Sequence, residues 1–242
     1  MKAKNKDLLA AAGLTMACVG LVLTWPTMDL SVAGWFYRPG EGFFANAWWP
    51  IQAVYKGAPW LLQLALAASA LVLLLALIQP GKVARYWWRH ALAWVLVVAF
   101  GVGLLVHNAL KDQVGRPRPV HVQAFGGPAP YIPALQLSSY CDTNCSFVSG
   151  HAAGAFSIMA WGMLAGRRRK LQWLWAGLVL GTVVGAVRMA QGGHFLSDVV
   201  FAALAVWWTH HLIGRLWIRC KAVLLHYRRK QLPGGGGPWH NP

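Results

Sequence analysis

Acidic residues are nearly missing from this 242-residue chain, which has six Asp and Glu against 22 Lys and Arg, and only 12% of its residues are charged. A soluble domain of this length carries about a quarter of its residues as charges, so the composition leaves too little to coat a water-facing surface. Internal repeats are also lacking, which leaves one domain as the reading. Cysteine is scarce, with four in the chain. No second pair of Cys or His stands at ligand spacing from Cys141 and Cys145, which weighs against a zinc site. Those two fall in one loop, where a disulfide is permitted; two free thiols are the alternative, given the geometry a bridge demands.

What is abundant is apolar. Hydrophobic residues make up 57% of the chain and mean hydropathy is positive, which points to a membrane. The 15 tryptophans include Trp25, Trp60, Trp87, Trp88, Trp207 and Trp208 at the ends of apolar runs, where indole rings settle at the membrane–water interface. The net charge of +16 is best read as basic loops that orient the chain and attract anionic headgroups. Nucleic-acid binding would need a basic face on a soluble scaffold, and the apolar runs leave no room for one.

Crossing the hydrocarbon core takes roughly 20 apolar residues. Six stretches qualify: 8–25, 60–79, 91–110, 150–166, 171–190 and 195–217. The first follows Lys2, Lys4 and Lys6 like a signal peptide, but no small-x-small cleavage site follows it, so it reads as an uncleaved helix. With the N-terminus inside, the cytoplasmic segments hold 16 of the 22 Lys and Arg, as the positive-inside rule requires. Both termini are then cytoplasmic. The six exceptions are Arg38, Lys56, Lys111, Arg116, Arg118 and Arg188. The expected fold is all-α: a six-helix transmembrane bundle formed by residues 1–232, with a flexible tail at 233–242. The aromatic-rich segment 26–59 is expected to lie in the interface rather than cross, and 111–149, rich in Pro and Gly, to be irregular.

Charged side chains near membrane helix ends are functional candidates by default. Here they form three clusters, and the topology puts all three at the outer surface. Lys111 to Pro119 leaves the third stretch, Ser146-Phe-Val-Ser149-Gly150-His151 enters the fourth, and Arg188 to Asp198 spans the turn between the fifth and sixth. Lys111, Arg118 and Arg188 supply cations and forked donors for a phosphate group. Ser149 and Gly150 stand where a helix begins, with unsatisfied N–H groups. His194 and Asp198, four apart, share a helix face, so that the carboxylate can set the imidazole tautomer.

These clusters resemble the signature of the type-2 phosphatidic-acid phosphatase superfamily: Lys-x6-Arg-Pro, Pro-Ser-Gly-His and Ser-Arg-x5-His-x3-Asp. Lys111 with Arg118-Pro119, Ser149-Gly150-His151, and Arg188 with His194 and Asp198 match in order and spacing; Val148 and Val187 depart from it. The resemblance implies that His194 is a nucleophile forming a phosphohistidine and that Asp198 orients it. It implies that His151 protonates the leaving oxygen and then activates water. The cations stand in for a metal, so no metal or cofactor is expected. Arg116 is a candidate substrate contact or a partner for lipid phosphate, and His107, one turn before Lys111, a candidate support. A lone histidine at a helix end is usually structural, and His210 and His211, at the other end of the sixth stretch, read as interfacial. Arg167–Lys170 reads as an orienting run.

The substrate must present phosphate at the outer interface, so a phospholipid or lipid A-type molecule fits. Cys145–Gly150, Gly192–Phe195 and the segment at Trp35 are similar to bacterial lipid A phosphatases, which places the chain in an inner membrane with a periplasmic site. Undecaprenyl diphosphate and phosphatidylglycerol phosphate are alternatives. A phosphotransferase would pass the same phosphohistidine to a second lipid. Haloperoxidases with similar residues are soluble, and a transporter would be expected to show repeats and midplane charges.

Overall fold

The computed structural model describes residues 2–79 and 81–231; the tail expected at 233–242 lies outside them. Helix α1 (Lys2–Thr24) carries the first apolar stretch. It stops before Pro26, which has no N–H and biases Trp25 away from helical geometry. Helix α2 (Met28–Gly34) then leaves at 83° to α1. A two-stranded antiparallel ribbon follows, β1 (Tyr37–Arg38) and β2 (Gly42–Phe43), with Tyr37 opposite Phe43. A short 3-10 turn, Phe44–Ala47, completes the segment.

That segment is shorter than expected, because α3 (Trp49–Ile78) begins at Trp49 rather than at residue 60. Pro50 sits in the first turn, where its missing N–H has no partner to lose. Pro59 lies inside the helix, and in apolar surroundings such an interruption is tolerated by local adjustment. Helix α4 (Lys82–Val97) continues as a wider π-type helix, Val98–Lys111, and ends in the single turn α5 (Asp112–Val114). Residues 115–149 are irregular, as expected, apart from 3-10 turns at Pro119–His121 and Gln123–Phe125. Helix α6 (Gly150–Phe156), a 3-10 stretch at Ser157–Gly162, α7 (Arg167–Ala190) and α8 (Leu196–Gln231) complete the chain.

The molecule is helical, with the ribbon as a minor exception. Among the described residues, four helices are long and apolar enough to cross a membrane: Trp49–Ile78, Tyr86–Lys111, Arg167–Ala190 and Leu196–Tyr227. The bent pair of α1 and α2 makes a fifth if it counts as one span. The stretch at 150–166 passes no such test, because its α-helical and 3-10 parts have 7 and 6 residues. On α3, Leu61, Leu64, Leu71 and Leu77 are each more than half exposed. A helix that is apolar all round yet unburied by its own chain has lipid as its solvent. The chain is a multi-pass membrane protein.

Close packing around α6 comes from small residues on α7. A Cβ at Gly181 would fall 2.1 Å from the Phe156 ring, and one at Gly177 2.7 Å from the Met159 amide nitrogen. One at Gly185 would fall 2.3 Å from Val199 of α8. Glycines one turn apart let backbones approach in this way. The same core buries Trp94 of α4, whose Nε1 donates to Ser157 Oγ at 3.2 Å. The end of α6 and the 3-10 stretch after it are thereby packed tightly against α7.

Candidate active site

Three backbone hydrogen bonds tie the charged clusters together pairwise. Ser146 N–H donates to the Arg116 carbonyl at 2.8 Å, Ser149 N–H to the Asp198 carbonyl at 3.1 Å, and Val120 N–H to the Gly192 carbonyl at 3.1 Å. Residues far apart in sequence thus share one small region of backbone. Burial, then the nearby charges of Arg188, Lys111 and Arg118, push His151 down to about 4.

The third cluster is shaped by its glycines. Gly192 has φ +66, a conformation L side chains rarely adopt, and a Cβ there would meet Phe43 of β2 at 2.5 Å. At Gly193 a Cβ would fall 2.3 Å from Arg188 Nη2. The turn therefore folds back over the guanidinium of Arg188, which is 5% exposed. Arg188 Nη1 donates to Gln191 Oε1 at 2.5 Å. Its Nε is buried without a hydrogen-bond partner among the described residues. A buried charged donor in that condition is costly and suits an anionic ligand.

His194 is 1% exposed, and its Nδ1 lies 2.7 Å from the Ser146 carbonyl. A carbonyl only accepts, so Nδ1 carries the proton and Nε2 is left as the basic nitrogen. Asp198 Oδ2 is 3.7 Å from the same Nδ1. That carboxylate instead accepts from Ser146 Oγ at 2.5 Å and from the Phe195 N–H at 2.8 Å, as in a capping box at the start of α8. Burial pushes His194 down to about 4 from the ordinary 6.5, with the nearby Asp198 acting in the opposite sense. The ring is thus neutral near pH 7.

Ser149 caps α6, its Oγ accepting from the Ala152 N–H at 3.4 Å. Gly150 follows, and a Cβ there would fall 2.8 Å from His107 Nε2. The imidazole of His107 therefore packs directly on the Gly150 backbone. Arg118 is held from outside: its Nε donates to the Asn144 carbonyl at 2.9 Å and its Nη2 to Asn144 Oδ1 at 2.6 Å. Asn144 sits in the loop closed by a Cys141–Cys145 disulfide, with Cα atoms 5.7 Å apart. The bridge, left open by the sequence, stiffens the loop that aims Arg118.

Arg116, a candidate substrate contact, is turned inward. It is fully buried, with Nη1 2.6 Å from Asp198 Oδ1 and 2.9 Å from Ser197 Oγ, Nη2 2.7 Å from Asp29 Oδ2, and Nε 2.9 Å from the Ile132 carbonyl. Its donors are committed internally, so a contact with substrate gives way to a buried ion triad. Burial opposes its charge, but Asp198 and then Asp29 outweigh that and hold it above the usual arginine value.

Sequence reasoning missed three residues. Asp29 of α2 pairs with Arg116 and accepts from the Ser197 N–H at 2.9 Å, fastening α2 to the start of α8. Its signal was present: it is one of only six acidic residues and sits in an apolar stretch. Tyr55 of α3 stacks on His151 with ring centroids 5.2 Å apart and lies under Arg188, whose Cζ is 4.4 Å from the ring centre. Nothing local marks it. Ser146 stood within a cluster without a role. Among the described residues no group of three or more His, Cys, Asp or Glu is placed to hold a metal ion.

Comparison with known proteins agrees with this arrangement. The sequence model of the PAP2 superfamily matches residues 92–219, which include all three clusters. The chain is 34% identical to a lipid A 4'-phosphatase of Francisella tularensis subsp. novicida (strain U112) over 203 residues, 82% of this chain and 90% of that protein. Lipid A 4'-phosphatases of Rhizobium etli and Rhizobium leguminosarum are 35% and 37% identical over 105 and 107 residues, 43% of this chain and 41% and 45% of theirs. No solved structure matches. A match over more than half the chain, carrying the three charged clusters in one place, makes the chain a member of the PAP2 superfamily.

Proposed function

We propose that this protein is a lipid phosphatase of the inner membrane that hydrolyses a phosphate ester of a lipid A-type substrate on the periplasmic side. The observation that carries the reading is the neutral His194 ring, proton-fixed at Nδ1 by the Ser146 carbonyl, in a site with Lys111, Arg118 and Arg188. Phosphate oxygens remain anionic through transfer. Lys111, Arg118 and Arg188, with Ser149 and the Gly150 amide, hold them.

In the first step the Nε2 lone pair forms a bond to phosphorus while the bond to the lipid oxygen breaks. His151, held down at about 4 by burial and the surrounding cations, takes up a proton together with the anionic phosphate and gives it to that oxygen. In the second step His151 takes a proton from water, the water oxygen bonds to phosphorus, and the N–P bond breaks. Asp198 keeps the first turn of α8 in place beneath His194. The positive-inside bias supports the periplasmic placement, with residues 1–232 acting as one unit. The substrate class is supported by the relative that this chain matches along 90% of its length.

The test is phosphate release by purified protein across lipid A, undecaprenyl diphosphate and phosphatidylglycerol phosphate, without an acceptor lipid. Lipid A should be the best substrate, and free phosphate should appear, which a phosphotransferase would not give. Folded His194→Ala and His151→Ala proteins should release none. Near wild-type turnover in His194→Ala would sink the phosphohistidine mechanism, and preference for another lipid would sink the substrate assignment alone.

A further inference from the structure

Two sequence features play no part in the phosphatase reading: the basic run at Arg167–Lys170 and the pair His210 and His211. The fold brings parts of both to one cavity of about 1450 Å³ between the start of α4, the turn before α7 and the second half of α8. His210 is a little over three helical turns beyond Asp198, about 18 Å at 1.5 Å per residue. The charged part of the cavity therefore lies toward the opposite end of α8 from the phosphate site.

Its chemistry is two-sided. Leu96, Phe100, Ile213 and Leu216 make apolar walls, and Arg89, Arg169, Lys170, Arg215 and Lys221 contribute charge, with no Asp or Glu among the lining residues. The contacts of two of these cations leave their charge uncompensated: Arg169 donates to the Tyr86 hydroxyl at 2.9 Å, and Arg89 lies 5.4 Å from the Trp88 ring centre. His210, also in the lining, is 6% exposed, and its Nδ1 has no hydrogen-bond partner among the described residues. The volume exceeds the roughly 300–1,000 Å³ of a drug-sized site.

We propose that this cavity is a binding site for an anionic phospholipid. Its acyl chain lies along the walls of α4 and α8, and its phosphate meets the Arg and Lys side chains. Charge complementarity selects this occupant: five cations with no acidic neighbour among the described residues favour a net negative headgroup over a zwitterionic one. The site is independent of the reaction carried out at the other end.

Native mass spectrometry of the detergent-released full chain, with phosphatidylglycerol or phosphatidylcholine of identical acyl chains, tests this. Phosphatidylglycerol should be retained preferentially. The triple variant Arg169→Gln, Lys170→Gln, Arg215→Gln should lower its apparent affinity about tenfold. A matched triple of exposed residues outside the cavity, Arg167→Gln, Arg168→Gln, Arg219→Gln, should leave it unchanged. Equal retention of the two lipids, or equal losses in the two triples, would overturn the site in favour of diffuse attraction. Either result would leave the phosphatase reading untouched.

Discussion

The imidazole of His194 is held by the backbone carbonyl of Ser146 at 2.7 Å, while the carboxylate of Asp198 stands 3.7 Å from the same nitrogen. A main-chain acceptor cannot be removed by changing a side chain, so the tautomer is secured by the fold. Asp198 acts one step back, holding the Ser146 hydroxyl, the Phe195 amide and Arg116.

Ser146→Ala separates the two roles. It deletes a hydrogen bond to a carboxylate, worth about 1.5–3 kcal/mol, but keeps the carbonyl that orients His194. Thermal stability should fall while kcat stays within about tenfold of wild type. A loss of turnover as deep as that of His194→Ala would show that the hydroxyl, not the carbonyl, does the orienting.

The two arginines of the first cluster should fail in different ways. Arg116→Ala strands Asp29 and Asp198 as buried unpaired carboxylates and should destabilise the fold by about 3–5 kcal/mol. Arg118→Ala removes a half-buried donor and should leave the unfolding temperature nearly unchanged while raising KM about tenfold or more. Unfolding in detergent and steady-state kinetics on both variants decide the matter; interchangeable behaviour would refute the assignment.

Tyr55 offers its ring to both Arg188 and His151. A cation–π contact of this kind is worth about 1–2 kcal/mol when desolvated. Tyr55→Phe should therefore keep kcat/KM close to wild type, and Tyr55→Ala should lower it about tenfold. A Phe variant as poor as the Ala variant would move the role to the hydroxyl.

The neutral His194 gives stability a pH signature. Burial depresses it from 6.5 to about 4, so between those values the unfolded chain binds a proton that the folded chain resists. The stabilisation is fully present above about pH 6.5 and is lost as pH falls through about 4. Unfolding temperatures of wild type and His194→Gln, followed from pH 7 to 4, should show a steeper acid decline for wild type. Parallel curves would mean that His194 titrates normally.

The spacing of charges and apolar runs made the membrane, the helical class and the three clusters legible, because hydropathy and motif spacing are local properties. Apolar length alone starts this stretch at residue 60, whereas α3 runs through Pro59 from Trp49. The stretch at 150–166 looked like the other spans. It folds as α-helix continued directly by a 3-10 stretch, and Gly177 and Gly181 let α7 pack closely against it.

By itself the sequence determined which residues carry charge in an apolar chain and in what order they come. Tertiary structure decided which of them are buried and which stay partly open. Arg116 and Arg118 are two residues apart and chemically identical, yet one is fully buried between two carboxylates and the other is partly open beside Asn144. That division depends on Asp29, which reaches the site from the other end of the chain, and no spacing rule can encode a contact that only folding creates.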